Sequence, residues 1–215
     1  MARHSRNSAR AALTLLVVLL AGAPASAHRL DEYLQAARIA IEPAAVRVEL
    51  DLTPGVAVAS SVLAELDRDR DGTVSSAEAK AYVDRVAGAL SLEIDGKPLV
   101  LSVTGRTVPS VAAIRAGEGT LGIQFAASLA GVGSGPHQLS FRNAYRPDVS
   151  VYLANALVPP SDRVAVTNQR RDYNQRRLDV DYVLREERPG TWWLAGVGAA
   201  LLAAIAFIVQ QKGTL

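Results

Sequence analysis

Between Tyr33 and Leu184 most segments place apolar residues at every second position, the spacing of half-buried β-strands. Val46, Val48, Leu50 and Leu52 share one face of such a segment, and Arg47, Glu49 and Asp51 share the other. The same pattern recurs at Tyr33 to Ile41, Leu121 to Ala127, Gln138 to Arg142, Val149 to Leu157, Arg163 to Gln169 and Leu178 to Leu184. Leu92 and Ile94, then Asp95-Gly96, then Leu99, Leu101 and Val103 read as a hairpin on a type I′ or slightly longer turn. Eight or nine short strands separated by Gly, Pro, Asn and Asp predict a mainly β fold, an antiparallel β-sandwich.

One stretch breaks the alternation. Val58, Val62 and Leu66 recur every four residues, and so do Ala79, Val83, Val86 and Leu90, with Tyr82 alongside. That spacing predicts two helices inserted at 54–90, the first with Thr53 as N-cap and Pro54 at its first position.

The helices are joined by Asp67-Arg68-Asp69-Arg70-Asp71-Gly72-Thr73-Val74-Ser75-Ser76-Ala77-Glu78, which fits the EF-hand calcium loop D-x-[DN]-x-[DN]-G-x₅-E at every fixed position. Calcium is a hard cation that takes six to eight oxygens. Asp67, Asp69 and Asp71 would supply carboxylate oxygens, Thr73 its backbone carbonyl, Ser75 a water-mediated contact, and Glu78 both carboxylate oxygens. Gly72 stands where the loop turns sharply and a side chain would obstruct it. Four carboxylates so close together repel one another without a cation. Five constrained positions match by chance in roughly one chain of this length per thousand. There is one such loop, whereas sensor domains pair two, and the flanking helices carry no Met and only one aromatic residue, Tyr82. A mainly structural ion is the expectation.

Two apolar blocks flank the middle. Residues 1–27 have the layout of a signal peptide: Arg3, Arg6 and Arg10, an apolar run, then Ala25-Ser26-Ala27. Thr191 to Val209 carries no charge and, at 1.5 Å per residue, covers about 28 Å as a helix, enough for one transmembrane helix, with Trp192 and Trp193 at its start. Residues 28–188 would then form an exported domain anchored in the bacterial cytoplasmic membrane by one C-terminal helix, with 210–215 as a cytoplasmic tail.

Removing the leader's three arginines from the 23 basic residues leaves 20 against 21 acidic ones, so a nucleic-acid partner has no electrostatic support. With no cysteine, disulfides, cysteine-ligated metals and thiol catalysis are excluded. No nucleophile–base–acid set or phosphate-binding glycine loop is visible, so the chain does not read as an enzyme. GVGSG at 131–135 lies between strands and reads as a turn. His28, the N-terminal residue after cleavage, and His137 are the nitrogen donors available to a transition metal. Arg163, Arg170, Arg171, Arg176 and Arg177 cluster late in the chain, close to Asp162, Asp172, Asp179 and Asp181, which would balance them on a solvated strand face.

The mature start HRLDEYLQA, the run LDLTPGVAVA leading into the acidic loop, and SVYLANALVP resemble bacterial proteins whose exported segment precedes, or is encoded near, a membrane domain of the HupE/UreJ type. That resemblance implies an association with nickel or cobalt uptake. The longer members carry the membrane domain, whereas this chain ends after one apolar span. One helix cannot line a metal pathway, so what carries over is an accessory role beside a separate membrane transporter, for nickel, cobalt or copper.

Overall fold

The computed structural model describes residues 31–187; the expected signal peptide, His28, the apolar span at 191–209 and the tail lie outside the described residues. Within them no helix is long and apolar enough to cross a membrane. The fold is mainly β, with two five-stranded sheets. The first has the order β5-β6-β2-β1-β8, from β5 (Ser102–Thr107), β6 (Leu121–Ser128), β2 (Ala45–Pro54), β1 (Tyr33–Ile41) and β8 (Ser150–Ala156). The second has the order β4-β3-β7-β10-β9, from β4 (Lys97–Pro98), β3 (Leu90–Ile94), β7 (Gly135–Asn143), β10 (Arg177–Leu184) and β9 (Val164–Arg171).

Inward residues of both sheets join one core: Ile39, Val48, Leu50 and Phe125 from the first, Leu92, Phe141, Val180 and Tyr182 from the second. Alternation places them there, because a strand turns successive side chains to opposite faces. The outward faces are charged. Arg38 on β1 bridges Glu49 at 3.1 Å and Asp51 at 2.7 Å on β2.

Several expectations change. Pairing is not antiparallel throughout, since β1 and β8 run parallel, Tyr33 opposite Ser150 and Ile39 opposite Ala156. A parallel neighbour needs a long connection, and here everything from β2 to β7 intervenes. Asp95 and Gly96 both take positive φ, 51° and 74°, the type I′ conformation, but the hairpin is short. After Pro98 the chain leaves the second sheet and crosses to the first, where β5 pairs with β6. β2 continues to Pro54, opposite Tyr33, so Thr53 and Pro54 do not start a helix. Proline lacks the N–H of a ladder, which a strand's last residue can forgo. Leu90 opens β3 and is not part of the second helix.

The helices are α1 (Val56–Leu66), α2 (Ser76–Gly88) and the unanticipated α3 (Val111–Arg115), capped by Ser110, whose Oγ accepts from the Ala113 N–H at 3.2 Å. The registers put all three at one pole. There β2 ends at Pro54 against Tyr33, β6 starts at Leu121 opposite Leu52, and β7 ends at Asn143 opposite Leu90. The other pole gathers the ends of β8 and β10 with the turns at 42–44, 129–134 and 157–163.

Candidate metal centre

α1 buries Val58, Ala59, Val62, Leu63 and Leu66, the apolar stripe its spacing implied. Its N-cap is Gly55, which offers no side chain, and its C-cap is Asp67, whose N–H donates to the Leu63 carbonyl at 2.8 Å. α2 starts from Ser75 in a complete capping box. The Ser75 Oγ accepts from the Glu78 N–H at 3.3 Å, while the Glu78 Oε2 accepts from the Ser75 N–H at 3.0 Å. The acidic loop is thus the link between two helix caps, and its ends are fixed by the helices' own hydrogen-bonding needs.

Asp67, Asp69 and Asp71 each direct one carboxylate oxygen into a cluster whose members all lie within 4.8 Å of one another. The backbone builds this by folding on itself. Asp67 Oδ2 accepts from the Gly72 N–H at 3.2 Å, Asp69 Oδ1 from the Asp71 N–H at 3.2 Å, and Asp71 Oδ1 from the Thr73 N–H at 2.8 Å. Arg70 and Gly72 take positive φ, 61° and 86°. A Cβ at Gly72 would meet nothing within 4 Å, so glycine is needed there for its left-handed backbone and not, as expected, to avoid obstruction.

Glu78 ties the loop shut. Its Oε1 accepts from the Arg68 N–H at 2.7 Å, and its Oε2 accepts from the Ser75 hydroxyl at 2.7 Å. The Ser75 hydroxyl first, then the Ser75 N–H, hold the Glu78 carboxyl down to about 2. Of the six expected ligands, three aspartates converge. Glu78 bridges the loop's two ends, Thr73 donates its hydroxyl to Asp71 at 2.7 Å, and Ser75 is the helix cap. The cap role of Ser75 was available as S-x-x-E in the sequence.

Asp67 differs from its neighbours in being buried, 3% exposed, and its Oδ1 has no hydrogen-bond partner. A buried carboxylate oxygen without a donor is costly, and here the nearest groups of the cluster are two more carboxylates. Val74, in the same loop, packs against the core. A lone loop thereby finds in its own domain the apolar support that paired hands give each other.

Beneath the helix pair lies a cluster of tyrosines. The Tyr33 and Tyr82 hydroxyls are 2.6 Å apart, joining β1 to α2, and Tyr145 stands edge-on to Tyr82 at 5.9 Å between ring centroids. The Tyr145 hydroxyl donates to Glu65 of α1 at 3.2 Å. Burial pushes all three tyrosines well above the usual range, so their hydroxyls stay neutral donors. Both helices are pinned to the sheet by this set.

Among the described residues the other candidate groups are engaged. His137 Nδ1 lies 2.7 Å from Asp95 Oδ2, and its Nε2 lies 2.8 Å from the Gly133 carbonyl. Both ring nitrogens face acceptors, so a metal would have to displace one of these contacts. In the arginine cluster Arg170 pairs with Asp181, Arg177 with Asp179 at 3.0 Å, and Arg171 donates to the Ala154 carbonyl at 2.7 Å. Arg163 lies 3.6 Å from Glu187, and the Arg176 guanidinium stands over the Tyr152 ring at 5.6 Å. The five do not form one face, since Arg163 and Arg176 lie in turns at opposite ends of β9; Arg163, Arg170 and Arg177 are paired with acids, and Arg171 and Arg176 are held by a carbonyl and a ring.

Comparison with known proteins finds no matching family model, no similar curated protein and no similar solved structure.

Proposed function

We propose that the loop from Asp67 to Glu78 is an EF-hand calcium site, and that the chain is an exported, membrane-anchored domain in which this ion is mainly structural. The observation that carries the reading is Asp67 Oδ1, buried without a donor beside two further carboxylates. A cation would give that oxygen its partner and cancel the mutual repulsion. An all-oxygen set on a bending loop suits calcium better than magnesium, which demands a near-ideal octahedron. Asp67, Asp69 and Asp71 would hold the ion directly. Glu78 would join them by exchanging its N–H and hydroxyl partners for the metal, and Thr73 and Ser75 would complete the set through a carbonyl and a water. The chemistry supplied is charge neutralisation.

A structural ion fits the floor of the site. Opening α1 from α2 would break the contacts among Tyr33, Tyr82, Tyr145 and Glu65, and a sensor must gain more than that from a partner groove. With a leader in front and a span behind, the domain serves outside the cytoplasmic membrane as a binding or accessory module. Service to a separate nickel, cobalt or copper transporter of the HupE/UreJ type is one form of that role, and to act in it as a ligand His137 would have to give up Asp95 or the Gly133 carbonyl. Thermal melts with an apolar-surface dye, in calcium and in chelator, test the reading. Calcium should raise the melting temperature without raising dye binding to the folded protein; a calcium-induced rise in dye fluorescence would make the loop a switch.

A further inference from the structure

The two poles of the domain differ in surface chemistry. The helix pole is charged, with Arg68, Asp69, Arg70 and Asp71 in the loop and Asp172 to Arg176 in the turn after β9. The opposite pole carries charge as well, at Glu42, Asp95, Asp162 and Arg163, but three of its turn tips, Pro43-Ala44, 129–134 and 157–161, lack any ionisable side chain. They are held side by side. The Leu129 N–H donates to the Ala44 carbonyl at 2.9 Å, and the Leu157 N–H to the Ile39 carbonyl at 2.8 Å. In the last of these turns Val158 is 92% exposed and Leu157 is 40% exposed, followed in sequence by Pro159 and Pro160. Among the described residues nothing covers the Val158 side chain, and Pro159 and Pro160 fix φ in the chain that follows it.

The chain leaves the domain at this same pole. Leu184, the end of β10, pairs with Gly135 and Val164, and the Arg185 N–H donates to the Arg163 carbonyl at 2.7 Å. The apolar run starts at Thr191, four residues beyond Glu187. Four residues reach at most about 14 Å. If that run spans the membrane, this pole is held within about that distance of the bilayer, whereas the acidic loop is at the far pole.

We propose that the turns at 43–44, 129–134 and 157–161 form a face that rests on the phospholipid interface, with Val158 inserted. The proposal depends on residues 191–209 being a membrane span. The tips match an interfacial environment in carrying apolar and small groups without charge, while Arg163 and Arg185 stand behind them, one paired with Glu187 and the other bound to the Asp162 carbonyl. One valine would be a weak anchor for a free protein. Tethered within a few residues of the bilayer, its insertion is intramolecular, and a small gain suffices to orient the domain. Insertion of this kind, unlike attraction between charges, does not fade with salt.

The chain has no cysteine, so single labelled sites can be introduced cleanly. The full chain bearing Val158→Cys would carry a polarity-sensitive fluorophore in vesicles of phosphatidylethanolamine and phosphatidylglycerol. The reference is Tyr173→Cys, a position 99% exposed at the helix pole. The Val158 probe should be blue-shifted and lose most of its emission to nitroxide-bearing lipids, at low and high salt alike, while the Tyr173 probe stays water-like. With a probe at Ala130→Cys, adding Val158→Asp should abolish that quenching. Water-like emission at both sites in vesicles that retain the chain through a salt wash would overturn this proposal alone. A blue shift without lipid quenching would overturn it in favour of a protein contact, either a second copy or a membrane partner. Release of the chain by the wash would overturn both the proposal and the anchor on which it rests.

Discussion

Replacing Asp67 by asparagine should change stability in opposite directions with and without calcium. Without the ion, the Asp67 carboxylate is buried, has one unpartnered oxygen, and lies within 4.8 Å of the carboxylate oxygens of Asp69 and Asp71. At that separation two unit charges repel by about 0.9 kcal/mol at the dielectric of water and about 3.5 kcal/mol at an effective constant of 20. Asp69 and Asp71 are exposed, so the lower figure governs, and two such pairs make about 2 kcal/mol. Asparagine keeps an oxygen for the Gly72 N–H and turns an amide donor toward the remaining carboxylates. In chelator, Asp67→Asn should therefore stabilise residues 28–188 by about 1–2 kcal/mol. In calcium at a hundred times the dissociation constant the unaltered protein gains about 2.7 kcal/mol. The variant forfeits most of that and should become the less stable of the two by about 1 kcal/mol. Urea melts in both conditions read the reversal as crossed midpoints. If Asp67→Asn destabilises equally in chelator and in calcium, the carboxylate is a plain structural acceptor and the argument from repulsion fails.

The tyrosine floor makes a second expectation. Tyr33→Phe or Tyr82→Phe alone strands a buried hydroxyl and should cost about 1–3 kcal/mol, whereas the double variant should cost clearly less than the sum, and additive costs would show that the 2.6 Å contact carries no coupling. A third concerns pH. Hydrogen bonding to Asp95 raises His137 above its ordinary 6.5, so its contribution is complete below that value and is lost as pH rises through the folded-state value. Urea midpoints should fall over that window and His137→Gln should flatten the fall; an unchanged slope in the variant would remove His137 as its source.

Much of the fold was legible because a half-buried strand writes its two faces directly into the sequence. β1 and β2 follow their alternation to within two residues, from Tyr33 to Ile41 and around Val46 to Leu52. β5 was not legible as a separate strand. It is an edge strand with no buried residue, and its register shifts between Val103 and Gly105, so nothing in its pattern marks where the chain changes sheets. Thr53-Pro54 misleads because it has the chemistry of a helix start, whereas tertiary pairing with Tyr33 keeps both residues in β2. α3 is too short for a period of 3.6 to register, with only Val111 and Ile114 buried. The acidic loop was legible in part: Asp67, Asp69 and Asp71 converge as their spacing implies, whereas Glu78 bridges the loop's two ends and Ser75 serves as a helix cap. The burial of Asp67 depends on how α1 and α2 dock, which spacing alone does not encode, whereas the capping role of Ser75 is local to the start of α2 and is written in Ser75-x-x-Glu78.

The most direct test of the calcium site is calorimetric titration of calcium into residues 28–188, unaltered and with Glu78→Gln. One ion should bind per chain. Glu78→Gln should weaken binding strongly, because it replaces a charged group able to offer two oxygens with a neutral one offering a single oxygen. No heat of binding at millimolar calcium, or equal affinity in the two proteins, would contradict the assignment.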